Sequence, residues 1–438
     1  MESINRRNFL KKSAVTAGGL MIGSPIVKKS FAKNSPNETI NIAVAGMRIR
    51  GPQHYRQYFK IPNVNVAAIC DVDENLFPKA VAEVEENTGR KPKTLVDFRD
   101  LLDDKDIDAV SIATPDHWHA LQTVWACQAG KDVYVEKPIS YTIDEGRKMV
   151  QAARKYDRVV QVGTQGRSRS SAKAAVKFLH EGKLGEIYMS RGMVTGSRES
   201  IGHTKNSSIP KGANWDLFLG PAPYRPFNEN RFHYNWHWFW DTGTGELGNN
   251  GVHTMDTARW GMNKRVHPVK IQSTGGCYAW DSDQQTPNVQ TVLYEYEDGT
   301  MMQCEVNNIF AGRVQVPKFY GSLGWMDGRY KTYYGTKNEP GPSISTEEFE
   351  PATPLPKGLD PHFANFIDCV RSRRWEDLNA DILEGHLSTT LCNLGNIAYR
   401  TGRTLIFNPY SERFVNDDDA NTYIKRVYRH PYVMPDKV

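Results

Sequence analysis

Two short segments of the 438-residue chain put titratable side chains where proton transfer needs them. In the first, Tyr134-Val135-Glu136-Lys137-Pro138 closes an apolar run, so Lys137 emerges from a buried strand. Desolvation and a neighbouring cation both depress an ammonium pKa, which makes such a lysine a candidate for alcohol binding or proton transfer. In the second segment, which runs from Gly245 to Asp256, Asn249, His253 and Asp256 fall within about 60° of one helical face and can converge on one ligand. An unperturbed imidazole titrates near about pH 6.5, in the range where it can exchange a proton near neutrality.

Between these lies Arg231-Phe232-His233-Tyr234-Asn235-Trp236-His237-Trp238-Phe239-Trp240, with six aromatics and two histidines in nine residues from Phe232. Trp236, His237 and Trp240 are candidates for a substrate wall, because flat rings cover the apolar face of a pyranose while imidazoles bond its hydroxyls. A core or a subunit interface uses the same residue types, so both readings stand. Arg167, Arg169, Tyr188 and Arg191 are weaker candidates for an anionic sugar substituent. His117 and His119 diverge at a helix start, and no cysteine or ligand-spaced acid joins them, so no metal is expected.

The elements that must position these residues change character along the chain. From 39 to about 163, short β-branched runs (40–45, 64–70, 109–113, 133–135, 159–162) alternate with amphipathic stretches (74–86, 117–129, 143–155), the pattern of a parallel sheet with crossover helices. Beyond about 185, longer half-alternating strands (186–194, 289–296, 300–306) suit an antiparallel sheet with one exposed or interface face. Helices are expected at 361–373 and 381–399, and 340–356 reads as the most linker-like stretch. The expected architecture is α/β: a dinucleotide-binding domain over 33–163, then a substrate and oligomerisation domain over 164–438 with a large open sheet. A homo-oligomer is expected.

The first run enters Gly46-Met47-Arg48-Ile49-Arg50-Gly51 and then a helix. Such a turn aims backbone N–H groups at a pyrophosphate, although Arg48 stands where GxGxxG has its middle glycine. Asp71, 25 residues after Gly46 at the end of the second run, is placed to accept from ribose hydroxyls. A carboxylate there repels a 2'-phosphate and favours NAD over NADP. Arg48 and Arg50 can add charge-assisted phosphate contacts. In an open parallel sheet the strand C-termini form the ligand crevice, so Thr114, Pro115, His119, Glu136 and Lys137 also point toward cofactor and substrate.

The order glycine turn, Ala113-Thr114-Pro115-x-x-x-His119, Glu136-Lys137-Pro138 and the 245–256 segment resembles the Gfo/Idh/MocA oxidoreductases, from about Thr39 onward. The resemblance implies a Rossmann domain, a C-terminal open-sheet α/β domain, and oxidation of a secondary hydroxyl of a sugar or cyclitol. Lys137 would be the active-site lysine, Thr114, Pro115 and His119 would line the nicotinamide side, and His253 would accept the hydroxyl proton. Where the family places an Asp four residues before that histidine, this chain has Asn249. An amide can hold a hydroxyl or orient the ring but cannot stabilise imidazolium by charge. Lys137 therefore gains weight as proton acceptor, and Asp256 becomes a candidate orienting partner for His253. The resemblance also permits a redox-assisted glycosidase, whose known versions depart from the Glu-Lys-Pro pattern intact here. A third reading is a sugar-binding protein that holds NAD without turnover.

The formal charge of +5 lies entirely in residues 1–32, where six basic residues face the single acid Glu2. A neutral remainder has no global field for nucleic acid. Asn5-Arg6-Arg7-Asn8-Phe9-Leu10-Lys11, an uncharged stretch from Ser13 to Val27, and Ser30-Phe31-Ala32 resemble a cleaved twin-arginine export signal read by the Tat machinery. The apolar part is about 15 residues, short of the roughly 20 that span a bilayer, so no stable anchor is expected after cleavage. A periplasmic or otherwise exported enzyme meets no free NAD pool, so NAD is expected to stay tightly bound. The six cysteines show no CxxC spacing and read as small buried hydrophobes.

Overall fold

Short runs of Val, Ile and Ala that are buried on both faces favour parallel strands covered by helices. In the computed structural model, which describes residues 39–438, six such strands form one sheet in the order β3-β2-β1-β4-β5-β6. They are β1 (Ile40–Ala45), β2 (Val64–Cys70), β3 (Lys93–Leu95), β4 (Ala109–Ile112), β5 (Asp132–Val135) and β6 (Val160–Val162). All its neighbouring strands pair parallel. The crossovers carry α1 (Arg50–Tyr58), α2 (Phe77–Thr88), α3 (Phe98–Asp103), α4 (Asp116–Gln128) and α5 (Ile143–Lys155). The start of α5 is fixed by a capping box in which the Thr142 hydroxyl accepts from the Glu145 N–H and the Glu145 carboxylate accepts from the Thr142 N–H. The expected export signal, residues 1–32, lies outside the described residues. Among the described residues no helix is long and apolar enough to cross a membrane.

After α6 (Ser170–His180) comes a ten-stranded sheet, with α7 (Trp215–Leu219) and α8 (Val252–Gly261) in the connection after its first strand. Its central strands are β7 (Ile187–Thr195), β8 (Lys270–Gly276), β9 (Val289–Glu295), β10 (Met301–Asn307) and β11 (Val314–Gly321). The strand order around them is β11-β7-β10-β9-β8; only β10 with β7 pairs parallel, and the rest of these pairs are antiparallel. Burial along β7, β9, β10 and β11 alternates residue by residue. One face packs Val194, Val292, Met302 and Val306 on Met255 of α8 and Leu391 of a later helix. The other leaves Leu293 and Met301 about half exposed.

Two further helices, α9 (Pro361–Ser372) and α10 (Ile382–Thr401), close the fold. The chain returns here to the first sheet. Phe363 of α9 stacks on Tyr134 at 4.6 Å, and Phe366 and Ile367 join the core under β1 and β2. Tyr432 and Met434 cover the opposite face with Trp118 and Leu121. Residues 40–162 hold every strand of the parallel sheet, and residues beyond 360 supply part of its cover. Five of the six cysteines are buried and all are free; Cys277 is exposed.

Candidate active site

The C-terminal ends of β1, β2, β4 and β5 open on one cleft of about 560 Å³, whose far wall comes from the 232–237 segment and the start of α8. At its cofactor end the backbone dictates glycine. Gly46 has φ +92°, and a Cβ there would sit 2.4 Å from the Ala113 carbonyl oxygen; one on Gly51 would sit 2.0 Å from that of Gly46. Arg48 is tolerated because its side chain is exposed, and Arg48 and Ile49 line the cleft. Met47 is buried, and its N–H donates to Asp71 Oδ2 at 2.5 Å, while Asp71 Oδ1 accepts from the Asp73 N–H at 2.9 Å. Burial raises the Asp71 carboxyl to about 6 against those two N–H groups. A tight glycine turn with an acid beside it fits a dinucleotide: the turn for its pyrophosphate, Asp71 for its ribose.

Arg50 lines the same cleft. Its guanidinium turns back to Glu136 at 2.8 Å and Gln53 at 2.6 Å. Glu136 also accepts from His54 Nε2 at 3.0 Å and from Gln165 at 3.2 Å. Burial opposes the charge on Glu136, but Arg50 and His54 outweigh it and hold the carboxyl well below its usual range. An ionised Glu136 therefore lies one residue before Lys137.

Thr114, Pro115 and His119 line the cleft. The His119 ring lies between the carbonyls of Pro138 at 2.7 Å and Thr114 at 2.6 Å, fixing its plane, and burial lowers its pKa. Lys137 Nζ donates to the Asn249 carbonyl at 2.7 Å and reaches its Oδ1 at 3.3 Å. Burial lowers the Lys137 pKa, and the carboxylates of Glu136 and Asp116 partly offset this. His253 lines the same cleft, but burial and the Lys137 charge push its imidazole down to about 3 rather than leaving it near neutrality.

Two acids of this site carried no role in the sequence reading. Asp116 is buried at the start of α4, accepts from the Thr244 hydroxyl at 2.6 Å, and is raised by burial to about 7. Glu246, 2% exposed, accepts from Asn249 Nδ2 at 3.2 Å and from Arg198 at 2.9 Å. The amide of Asn249 therefore bridges a carboxylate to the Lys137 ammonium. The chain keeps a negative charge near the lysine, moved three residues upstream of Asn249. That i, i+3 spacing is visible in Glu246-Leu247-Gly248-Asn249. The local geometry was not, because residues Leu247–Gly251 form a π-helical turn, which the 100° rule misplaces.

The structure separates several expected partners. Asp256 does not face His253. About 60° round α8 from it, its carboxylate takes Arg167 Nε at 2.8 and 3.0 Å and the Ser388 hydroxyl at 2.7 Å. Arg167 continues to Glu384 at 3.0 Å, and Arg259 also pairs with Glu384. A buried guanidinium needs carboxylates, and this need claims Asp256. Arg167, Arg169, Tyr188 and Arg191 do not line the cleft; Arg191 pairs with Glu305 across β7 and β10. Trp240 faces a different cavity. The aromatic segment divides between both readings: Trp236 and His237, stacked at 3.6 Å, line the cleft, while Trp238 and Phe239 are buried outside its wall. Phe232 and Trp236 also form a small core with Trp215 and Phe218.

A parallel sheet ending in a glycine turn and acid, with a half-buried lysine at the next strand end, defines a dinucleotide-binding fold. The chain belongs to the Gfo/Idh/MocA oxidoreductase family: residues 40–164 match its NAD-binding Rossmann fold and residues 199–434 its C-terminal alpha/beta domain. Among curated relatives, "Glycosyl hydrolase family 109 protein" of Shewanella baltica is 28% identical over 172 residues, 35% of this chain and 38% of that protein. The match therefore spans well under half of that relative. Among solved structures, the WlbA dehydrogenase of Bordetella pertussis with NADH and UDP-GlcNAcA superposes with TM-score 0.61 at 19% identity, over 84% of this chain and 99% of that one. Levoglucosan dehydrogenase with NADH and levoglucosan gives 0.62 at 19%, over 84% and 99%.

Proposed function

We propose that this protein oxidises a secondary hydroxyl of a sugar, glycoside or cyclitol, with Lys137 as proton acceptor. One observation carries the reading: a half-buried lysine, its ammonium held by Asn249, shares a cleft with the glycine turn and Asp71. NAD, when bound, supplies the hydride acceptor. The turn from Gly46 to Gly51 and Asp71 hold it, and Thr114, Pro115 and His119 shape the reacting end. Lys137 binds the hydroxyl oxygen and takes its proton; the lowered pKa makes the neutral amine accessible. His253, depressed to about 3, stays neutral and acts as a hydrogen-bonding group that orients the hydroxyl. Trp236 and His237 offer a flat wall for the ring. Lys137→Ala should reduce turnover by at least about a hundredfold with NAD still bound; undiminished turnover overturns the assignment.

Residues 1–32 are taken as a twin-arginine export signal, on the pattern Arg6-Arg7-Asn8-Phe9-Leu10-Lys11, and NAD as a group that travels with the folded protein and is recycled in place. Protein purified without nucleotide should then release about one NAD(H) per chain on denaturation, and less than about a tenth contradicts retention. A second reading, a glycosidase working by transient oxidation and elimination, is favoured by the name of the Shewanella relative. A reducing sugar released with no net NADH would select it.

A further inference from the structure

Outside the cleft, a second cavity of about 210 Å³ lies between the Tyr141–Thr142 turn, Trp240, α10 and the segment 422–427. Its wall carries three cations, Arg400, Lys425 and Arg426, and no carboxylate. Arg400 lies over Trp240 at 5.0 Å and Tyr423 at 4.4 Å, and Arg426 lies over Tyr141 at 4.4 Å. Stacking occupies the faces of a guanidinium and leaves its N–H edges for in-plane acceptors. One Arg426 nitrogen donates to the Asp241 carbonyl at 3.2 Å. Its Nε and Nη1 are buried with no acceptor among the described residues, as is Nδ2 of Asn393, a cavity residue 4% exposed.

Nearby acids do not meet this demand. Glu145 spends one oxygen on the N–H groups of Tyr141 and Thr142 and the other on the Tyr428 hydroxyl. Lys425 meets Asp436 at 2.7 Å, but that acid is 87% exposed, and such surface pairs are weak. Buried donors in native proteins are nearly always satisfied, and orphaned guanidinium edges beside an orphaned amide call for an oxygen acceptor with negative charge.

We propose that this cavity is a binding site for a small oxyanion, a carboxylate or phosphate group, held by the edges of Arg426 and Arg400 and by the Asn393 amide. The volume admits a phosphate or a short organic acid. The test is calorimetric titration of the NAD-loaded full chain, so that its own phosphate cradle is filled, at constant ionic strength with inorganic phosphate, with malonate, and with chloride as control. Saturable binding with Kd below about 1 mM is expected for phosphate or malonate and none for chloride; which of the two saturates identifies the group. Arg426→Gln and Arg400→Gln should each weaken it at least about tenfold with NAD content unchanged. Because both arginines pack on rings, exposed Lys425→Ala provides a further variant and should weaken binding by about threefold or more. Absence of saturation by both anions up to about 20 mM, or undiminished affinity in Arg426→Gln, overturns the proposal.

Discussion

At Lys137 the decisive quantity is how much negative charge surrounds an ammonium that burial would prefer neutral. Glu246 contributes through the Asn249 amide, and its carboxylate favours the charged form of the lysine. The neutral amine is the active base in this account, so activity rises with pH through the Lys137 pKa. Glu246→Gln removes a negative charge and should move the acidic limb of the kcat/KM profile to lower pH by roughly 0.5–1 unit, while Asn249→Asp should move it to higher pH. No limb belonging to His253 should appear near neutrality, since its imidazole sits at about 3. Asp71 titrates at about 6, so NAD affinity should fall as pH drops below that value, and Asp71→Asn should flatten the dependence; titration of NAD between acid and neutral pH checks both. The types and rough placement of Asp71 and Lys137 were legible in the sequence because both stand just past strand ends. Their protonation states were not, because desolvation depends on what folds over them.

Among the elements, β1 and β2 were readable to the residue, since β-branched runs buried on both faces have no competing reading. β3 was missed: it is three residues, Lys-Thr-Leu, at an exposed edge. β11 was missed too, and its Pro317 argues against a strand; opposite Gly192 it is accommodated. Periodicity put His253 and Asp256 on one side of α8 but could not tell that the buried Arg167 would take Asp256. That network joins α8, α10 and the turn after β6, so its loss is structural. Asp256→Ala should cost about 3–5 kcal/mol by leaving buried guanidinium groups uncompensated, read as a fall in Tm, with kcat of the surviving folded fraction little changed. The same network has a pH signature. Burial opposes the charge on Glu384, but Arg259 and Arg167 hold its carboxyl at about 2, below its ordinary 4.5. Its stabilising contribution is thus complete above about 4.5 and lost as pH falls toward 2; acid unfolding of Glu384→Gln should show a shallower dependence in that window.

For the molecule as a whole, residues far apart in sequence build one site, with Asp71 and Lys137 from the first sheet facing Trp236, Asn249 and His253 from the second region. Neither region alone holds both the cradle and the wall. The charge balance carries a separate message, since the +5 excess sits in residues 1–32 and the remainder of the chain is formally neutral. The central claim is that this cleft moves hydride from a carbohydrate carbon to NAD with Lys137 taking the proton. The direct measurement is transfer of label from a panel of sugars and cyclitols deuterated at their CH–OH carbons to bound NAD, followed by mass spectrometry of the released nucleotide. Labelled NADH is expected with wild-type protein for at least one member of the panel, and transfer at least about a hundredfold slower in Lys137→Ala with NAD content unchanged. No label from any member, or equal transfer in the variant, would contradict it.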